Sequence, residues 1–290
     1  MRINKEYFLP LVEEFCRFAE QIGKDAYPDN GLFLPYTFEN YHSASKKIFY
    51  VGRDTAGWVK FDEMMQDFKR GELSNYLDKN SNVVTVLGKN QDGTDEHSLK
   101  ENWNTTNKWN FWTYCQKLHL YITKGYTNVD ITKLDDEDYQ IIEQMGYGNL
   151  NSIEHDNSQK NMGIWGKIVD KSKFQELRLA SRKIDKIKHI LEAYAPDLII
   201  ILNWEERDDI FEGLQYEWHK ELFIDKRKAI YTIEGFSTPI LWSIHPNSFK
   251  FNSVHPEEMI KYLGDTAKEL LKNNDHLHFQ HSTKTISATE

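Results

Sequence analysis

Apolar residues recur at helical spacing over residues 5–22, where Phe8, Leu11, Val12, Phe15, Ala19 and Ile22 share one side, and this predicts an amphipathic opening helix. The pattern then changes to short, unbroken apolar runs. Lys47–Gly52 is rich in β-formers and ends in glycine, so it reads as a buried strand. Tyr126–Ile131 reads as a second strand, preceded by a helix over Trp109–Ile122. Asp197–Leu202 is a third, and Ala195-Pro196 stops a long helix just before it, because the residue preceding proline is pushed out of the helical region. Pro239–Ile244 is a fourth, with Lys228–Ile233 as a short edge strand before it. The last helix is expected over Pro256–Leu271, with proline in its first turn.

Unbroken apolar strands alternating with helices predict an α/β chain: a three-layer α/β/α sandwich around a central, mostly parallel four-stranded sheet. Ligands of such sheets sit at the carboxyl ends of the strands. One domain is expected over residues 1–275, with polar, Asn-rich insertions at about 72–108 and 147–162. Residues 276–290 read as a tail in which His276, His278 and His281 are incidental.

Composition narrows the class. The 290 residues are 39% hydrophobic and 28% charged, as in a globular chain rather than a disordered one. Cys16 and Cys115 are the only cysteines, too few for a disulfide framework or a four-cysteine metal site. A reducing cytoplasm fits that usage. The opening MRINKEYFLPLVEEFCRFAEQ is interrupted by acids, unlike a secretory signal, and no apolar run approaches the ~20 residues that span a bilayer. The expectation is a cytoplasmic protein with no membrane contact and no obligate protein partner. The net charge of −9 opposes indiscriminate nucleic-acid binding. The charge is uneven, however. From Lys160 to Lys188 the bases Lys160, Lys167, Lys171, Lys173, Arg178, Arg182, Lys183, Lys186 and Lys188 face only Asp170, Glu176 and Asp185. That stretch is either a solvated helix face or part of a DNA-contacting surface.

The residues that follow the strands carry the chemistry. Gly52-Arg53-Asp54-Thr55-Ala56-Gly57-Trp58 follows the first, Asn128 lies within the second, and His245-Pro246-Asn247-Ser248-Phe249 follows the fourth. Singly, Asp54 reads as a helix cap, Asn128 as a strand-end amide and His245 as a buried core histidine. Together they bring a carboxylate, an amide and an imidazole to one sheet edge.

In this order and context the chain resembles the uracil-DNA glycosylase superfamily, over roughly Ile48–Phe249. Gly52-Arg53-Asp54 matches the family's glycine followed two residues later by an acid after its first strand. His245-Pro246-Asn247-Ser248 matches the His-Pro-Ser motif after its last strand with one substitution. Asn128 is the candidate for the family's base-reading asparagine, and Val51–Trp58 is similar to a bacterial branch. The resemblance implies a glycosylase-like fold that acts on double-stranded DNA, extrudes a base and cuts its bond to the sugar without a metal or organic cofactor. Asp54 would steady the developing sugar cation and orient water. His245 would donate to the departing base, a contribution of ~3 kcal/mol in such sites. Asn247, Ser248, Phe249 and Lys250 would meet the DNA. Phe249 and Phe251 are each either a wedge in the gap or a core aromatic.

The sequence departs from the family where the uracil-specific branch has Pro-Tyr after the acid, a tyrosine that closes the pocket against a 5-methyl group. Thr55 and Ala56 stand there instead. Trp58 either restores the wall, stacks on the base or packs in the core. An open wall implies a pyrimidine with a large 5-substituent, such as the hydroxymethylated or glucosylated cytosine of phage DNA. Repair of plain uracil and a silent DNA-binding module are the rival readings. A metal hydrolase built on His245, His255 and Asp54 is disfavoured, because the His-x9-His spacing matches no ligand pattern.

Overall fold

The computed structural model describes residues 3–54, 60–81, 84–86, 98–100, 104, 110–153, 170–185, 187–203, 210–219, 228–246, 248–249 and 255–273. Its helices are α1 (Lys5–Ile22), α2 (Phe61–Arg70), α3 (Leu73–Ser81), α4 (Phe111–Lys124), α5 (Asp136–Ile142), α6 (Lys171–Asp185), α7 (Ile187–Tyr194) and α8 (Pro256–Asn273). Its strands are β1 (Tyr36–Thr37), β2 (Ile48–Asp54), β3 (Met145–Asn151), β4 (Leu198–Leu202), β5 (Tyr216–Trp218), β6 (Lys228–Ile233) and β7 (Ile240–Ser243).

The strands form one sheet in the order β1-β3-β2-β4-β7-β6-β5. β3, β2, β4 and β7 run parallel, so four carboxyl ends share one edge. Antiparallel β1 flanks β3, and antiparallel β6 and β5 extend the other side. The mixed α/β class and the mostly parallel sheet stand as expected, but the sheet has seven strands rather than four. Lys228–Ile233 is not an edge strand, because β5 pairs outside it.

The second strand also lies elsewhere than expected. Tyr126–Ile131 is a surface return: Gly125 caps α4 in the left-handed region, Tyr126 is exposed, and Asn128 itself has φ 56°. The true neighbour of β2 is β3, MGYGNLN, at the start of the stretch read as a 147–162 insertion. Its glycines disguise it, and packing demands them. The Phe49 ring lies against Gly146, where a Cβ would overlap its edge carbons, and the same ring would meet a Cβ on Gly148 at 3.3 Å. The 72–108 stretch contributes α3 and buries Leu73, Tyr76, Leu77, Val84, Val86 and Leu99 in the core.

Helices cover both faces. On one, Tyr194 of α7 stacks on Phe49 at 5.4 Å between ring centroids, and Phe8 of α1 packs on Tyr194 at 6.1 Å. On the other, α4 packs on α8 and places His119 beside Tyr50, with Nδ1 3.2 Å from the hydroxyl. Lys117 of α4, 2% exposed, is paired with Glu257 in the first turn of α8 at 3.1 Å. Cys16 in α1 and Cys115 in α4 are free thiols, both buried. Among the described residues, no helix is long and apolar enough to cross a membrane.

Candidate active site at the carboxyl edge of the sheet

Gly52 and Asn149 are register partners on β2 and β3, and side chains alternate along a strand. Tyr50, Gly52, Tyr147 and Asn149 therefore belong to the face covered by α4. Gly52 is where that face opens. A Cβ there would stand 2.7 Å from Oδ1 of Asn149 and 3.2 Å from the Phe111 ring. Glycine thus lets an amide and an aromatic ring close on the bare end of β2. Two residues on, the strand ends at Asp54, whose backbone pairs with Asn151.

Phe111 owes its place to the start of α4. Asn110 caps the helix by accepting from the Thr113 amide at 2.8 Å, and the first residue inside the cap projects at the strand edge. Its ring lies 5.8 Å from the His245 imidazole at an interplanar angle of 24°. His245 follows β7, and the Ser248 amide donates to its carbonyl at 2.8 Å, so the chain turns back at once. The imidazole is 9% exposed. Burial, and secondarily the nearby Arg53 charge, push its pKa down to about 4, so it is neutral at pH 7 and carries one N–H.

Asn149 is 2% exposed. The buried Tyr147 hydroxyl donates to its Oδ1 at 2.7 Å, while its Nδ2 has no hydrogen-bond partner. Asn151 closes the rim: its Nδ2 donates to the Arg53 carbonyl at 3.1 Å, and its Oδ1 accepts from Nε of Arg182 at 3.3 Å. The basic helix α6 therefore reaches the site directly. Along it Lys171, Lys173 and Lys183 are exposed, whereas Arg178 and Arg182 are half-buried. Asn203, just past β4, is fully buried; its Oδ1 accepts from Nε1 of Trp242 at 2.9 Å and its Nδ2 has no partner.

Of the residues singled out in the sequence, Gly52 and His245 both border the Phe111 ring, and β2 ends at Asp54 on the same edge. Asn128 does not lie there, for it sits on the return between α4 and α5. The strand beside β2 carries Asn149 instead, hidden by the glycines around it. Phe111 was also missed; its signal was the asparagine cap before an apolar helix. Phe249 is 2% exposed and meets Tyr114 edge-on at 5.1 Å, which makes it a core aromatic. Ser248 is half-buried in the turn. Ala56, Trp58, Asn247, Lys250 and Phe251 lie outside the described residues, as do Lys160, Lys167 and Lys186. Compared with models of protein families, with curated proteins and with solved structures, the chain returned no match.

Proposed function

We propose that the chain is a monofunctional DNA glycosylase that takes a pyrimidine nucleotide out of the double helix and hydrolyses its N-glycosidic bond, leaving an abasic site. One observation carries the reading. A neutral, buried imidazole stacks on the Phe111 ring, and that ring and an amide with an unused N–H2 both border Gly52, two residues before β2 ends in an acid.

The residue types suit the chemistry. Breaking the bond leaves positive charge on the sugar and negative charge on the base. Water adds at C1′, the bonding pair leaves with the base, and the water proton is released. Asp54 would orient that water and steady the cation. His245 would donate its N–H to an oxygen of the departing base, and a donor fixed in a dry site loses little to reorganisation. Phe111 offers a π face to the extruded base, whose unstacking costs a few kcal/mol. Arg182 and the exposed lysines of α6 are suited to the flanking phosphates. With alanine at position 56, the favoured substrate is a cytosine carrying a large 5-substituent, as in phage DNA, and the role a defence against such DNA.

A base-release assay tests this. Uracil-containing DNA, unmodified DNA and phage DNA with hydroxymethylated or glucosylated cytosine are each incubated with wild type, Asp54→Ala and His245→Ala, and abasic sites are scored. The expected result is release from modified phage DNA alone, with His245→Ala slowed by ~10²–10³-fold. Release of uracil only would make the protein a repair enzyme. No release from any substrate would overturn this reading for these bases and favour a silent binding module or a base outside the set.

A further inference from the structure

The Asn149 amide has a donor end and an acceptor end, and only one of them is available. Its oxygen is engaged: the Tyr147 hydroxyl donates to it, and it lies over the bare Cα of Gly52, where a side chain would stand 2.7 Å from it. Its nitrogen is buried with no hydrogen-bond partner in the fold, a state that costs about 1–3 kcal/mol unless a bound group supplies an acceptor. Tyr147 in turn cannot swing away. Its ring sits 4.3 Å from Trp112, 5.4 Å from Phe111, 5.5 Å from Tyr36 and 5.7 Å from Phe33, centroid to centroid, and the residue is 4% exposed.

We infer that Tyr147 is the positioning residue of this site, holding Asn149 with its N–H2 toward the ligand, so that the ligand must present an acceptor there. A ring carbonyl or an unprotonated ring nitrogen of a planar base meets that demand. An exocyclic amine does not. The inference rests on the glycosylase reading only in naming the ligand a base.

The test uses the full chain. In the first arm Tyr147→Phe, Asn149→Ala and the double variant are assayed on the DNA that the wild type cleaves. Each single change is expected to lower kcat/KM by about tenfold or more, and the double variant to be no worse than Asn149→Ala, because Tyr147 acts through Asn149. Binding of duplex DNA with an abasic-site analogue, which has no base to read, stays unchanged. Additive losses, or weakened binding of the abasic duplex by Tyr147→Phe, would overturn the inference.

The second arm needs no catalysis. Free uracil and free cytosine are titrated while the Asn149 side-chain N–H2 signals are followed by NMR. The base that binds is expected to shift those signals in the wild type and, followed through the backbone amide signals of β2 and β3 in every variant, to lose affinity about tenfold in Tyr147→Phe and in Asn149→Asp, which offers only an acceptor. Undiminished binding to Asn149→Asp would mean that the oxygen end does the reading. Base binding without cleavage of any DNA would remove the proposed function and leave the inference standing. Signals unmoved by either base would overturn the inference whatever the DNA assay shows.

Discussion

At Gly52 a missing side chain shapes the whole edge. Alanine there would press on Asn149 Oδ1 and the Phe111 ring, both side-chain groups that can yield without unfolding the chain. Gly52→Ala is therefore expected to leave the chain folded and, on the glycosylase reading, to slow base release by up to ~10²-fold, the cost of displacing a positioning group by about 1 Å. The state of His245 sets the pH response of the site. With its pKa pushed down to about 4, the imidazole keeps the same charge from neutral pH to near pH 5. A pH–rate profile should show no inflection near 6.5, the ordinary histidine value; a step there would mean that the reacting histidine is exposed. Gly52, Asp54 and His245 were legible because each follows an apolar run that is a real strand. Asn149 and Phe111 were not, since an asparagine among glycines and a phenylalanine after a cap have no period that marks them.

Among the elements, β3 shows why periodicity fails. A strand is recognised by its side chains, yet Gly146 and Gly148 are strand residues whose lack of side chains is what the Phe49 ring requires. Gly146→Ala should lower stability by about 1–3 kcal/mol, as overpacking does in close-packed cores, and urea unfolding would show it as a lower midpoint at unchanged slope. The converse error at Tyr126–Ile131 has the converse cause. Tyr126, Val129 and Ile131 supply β-formers, but the glycine cap of α4 sends the segment across the surface. The opening helix, β2, β4, β7 and α8 were legible to within a few residues, because each buries one stripe or a whole run.

For the molecule as a whole, the class, the parallel centre and the span of β6 were legible, but not the short strands β1 and β5, which have too few residues to show a period and, for β1, a partner far off in the chain. Two histidines link the fold to pH. His119, fully buried against Tyr50, is held down to about 4 chiefly by burial, and His245 likewise. The unfolded chain takes up protons at both near 6.5, whereas the folded chain resists until about 4. Their contribution is thus intact above pH 6.5, declines as pH falls from 6.5 to 4 and is gone below, up to ~3 kcal/mol each. Melting temperatures should drop over that window, and less steeply in His119→Gln. A flat profile would show that the fold lowers neither imidazole's pKa.

The two thiols lie in opposite helical layers, Cys16 under α1 and Cys115 in α4, and burial pushes Cys16 up to about 12 and Cys115 well above its usual value. Neither can be alkylated until its own layer lifts from the sheet, so the chain carries a built-in pair of clocks. If the domain opens only as a whole, a thiol reagent will label both at one rate, equal to that of global unfolding. A faster Cys16 would time the release of α1 while α4, and the edge it builds with Phe111, stays closed.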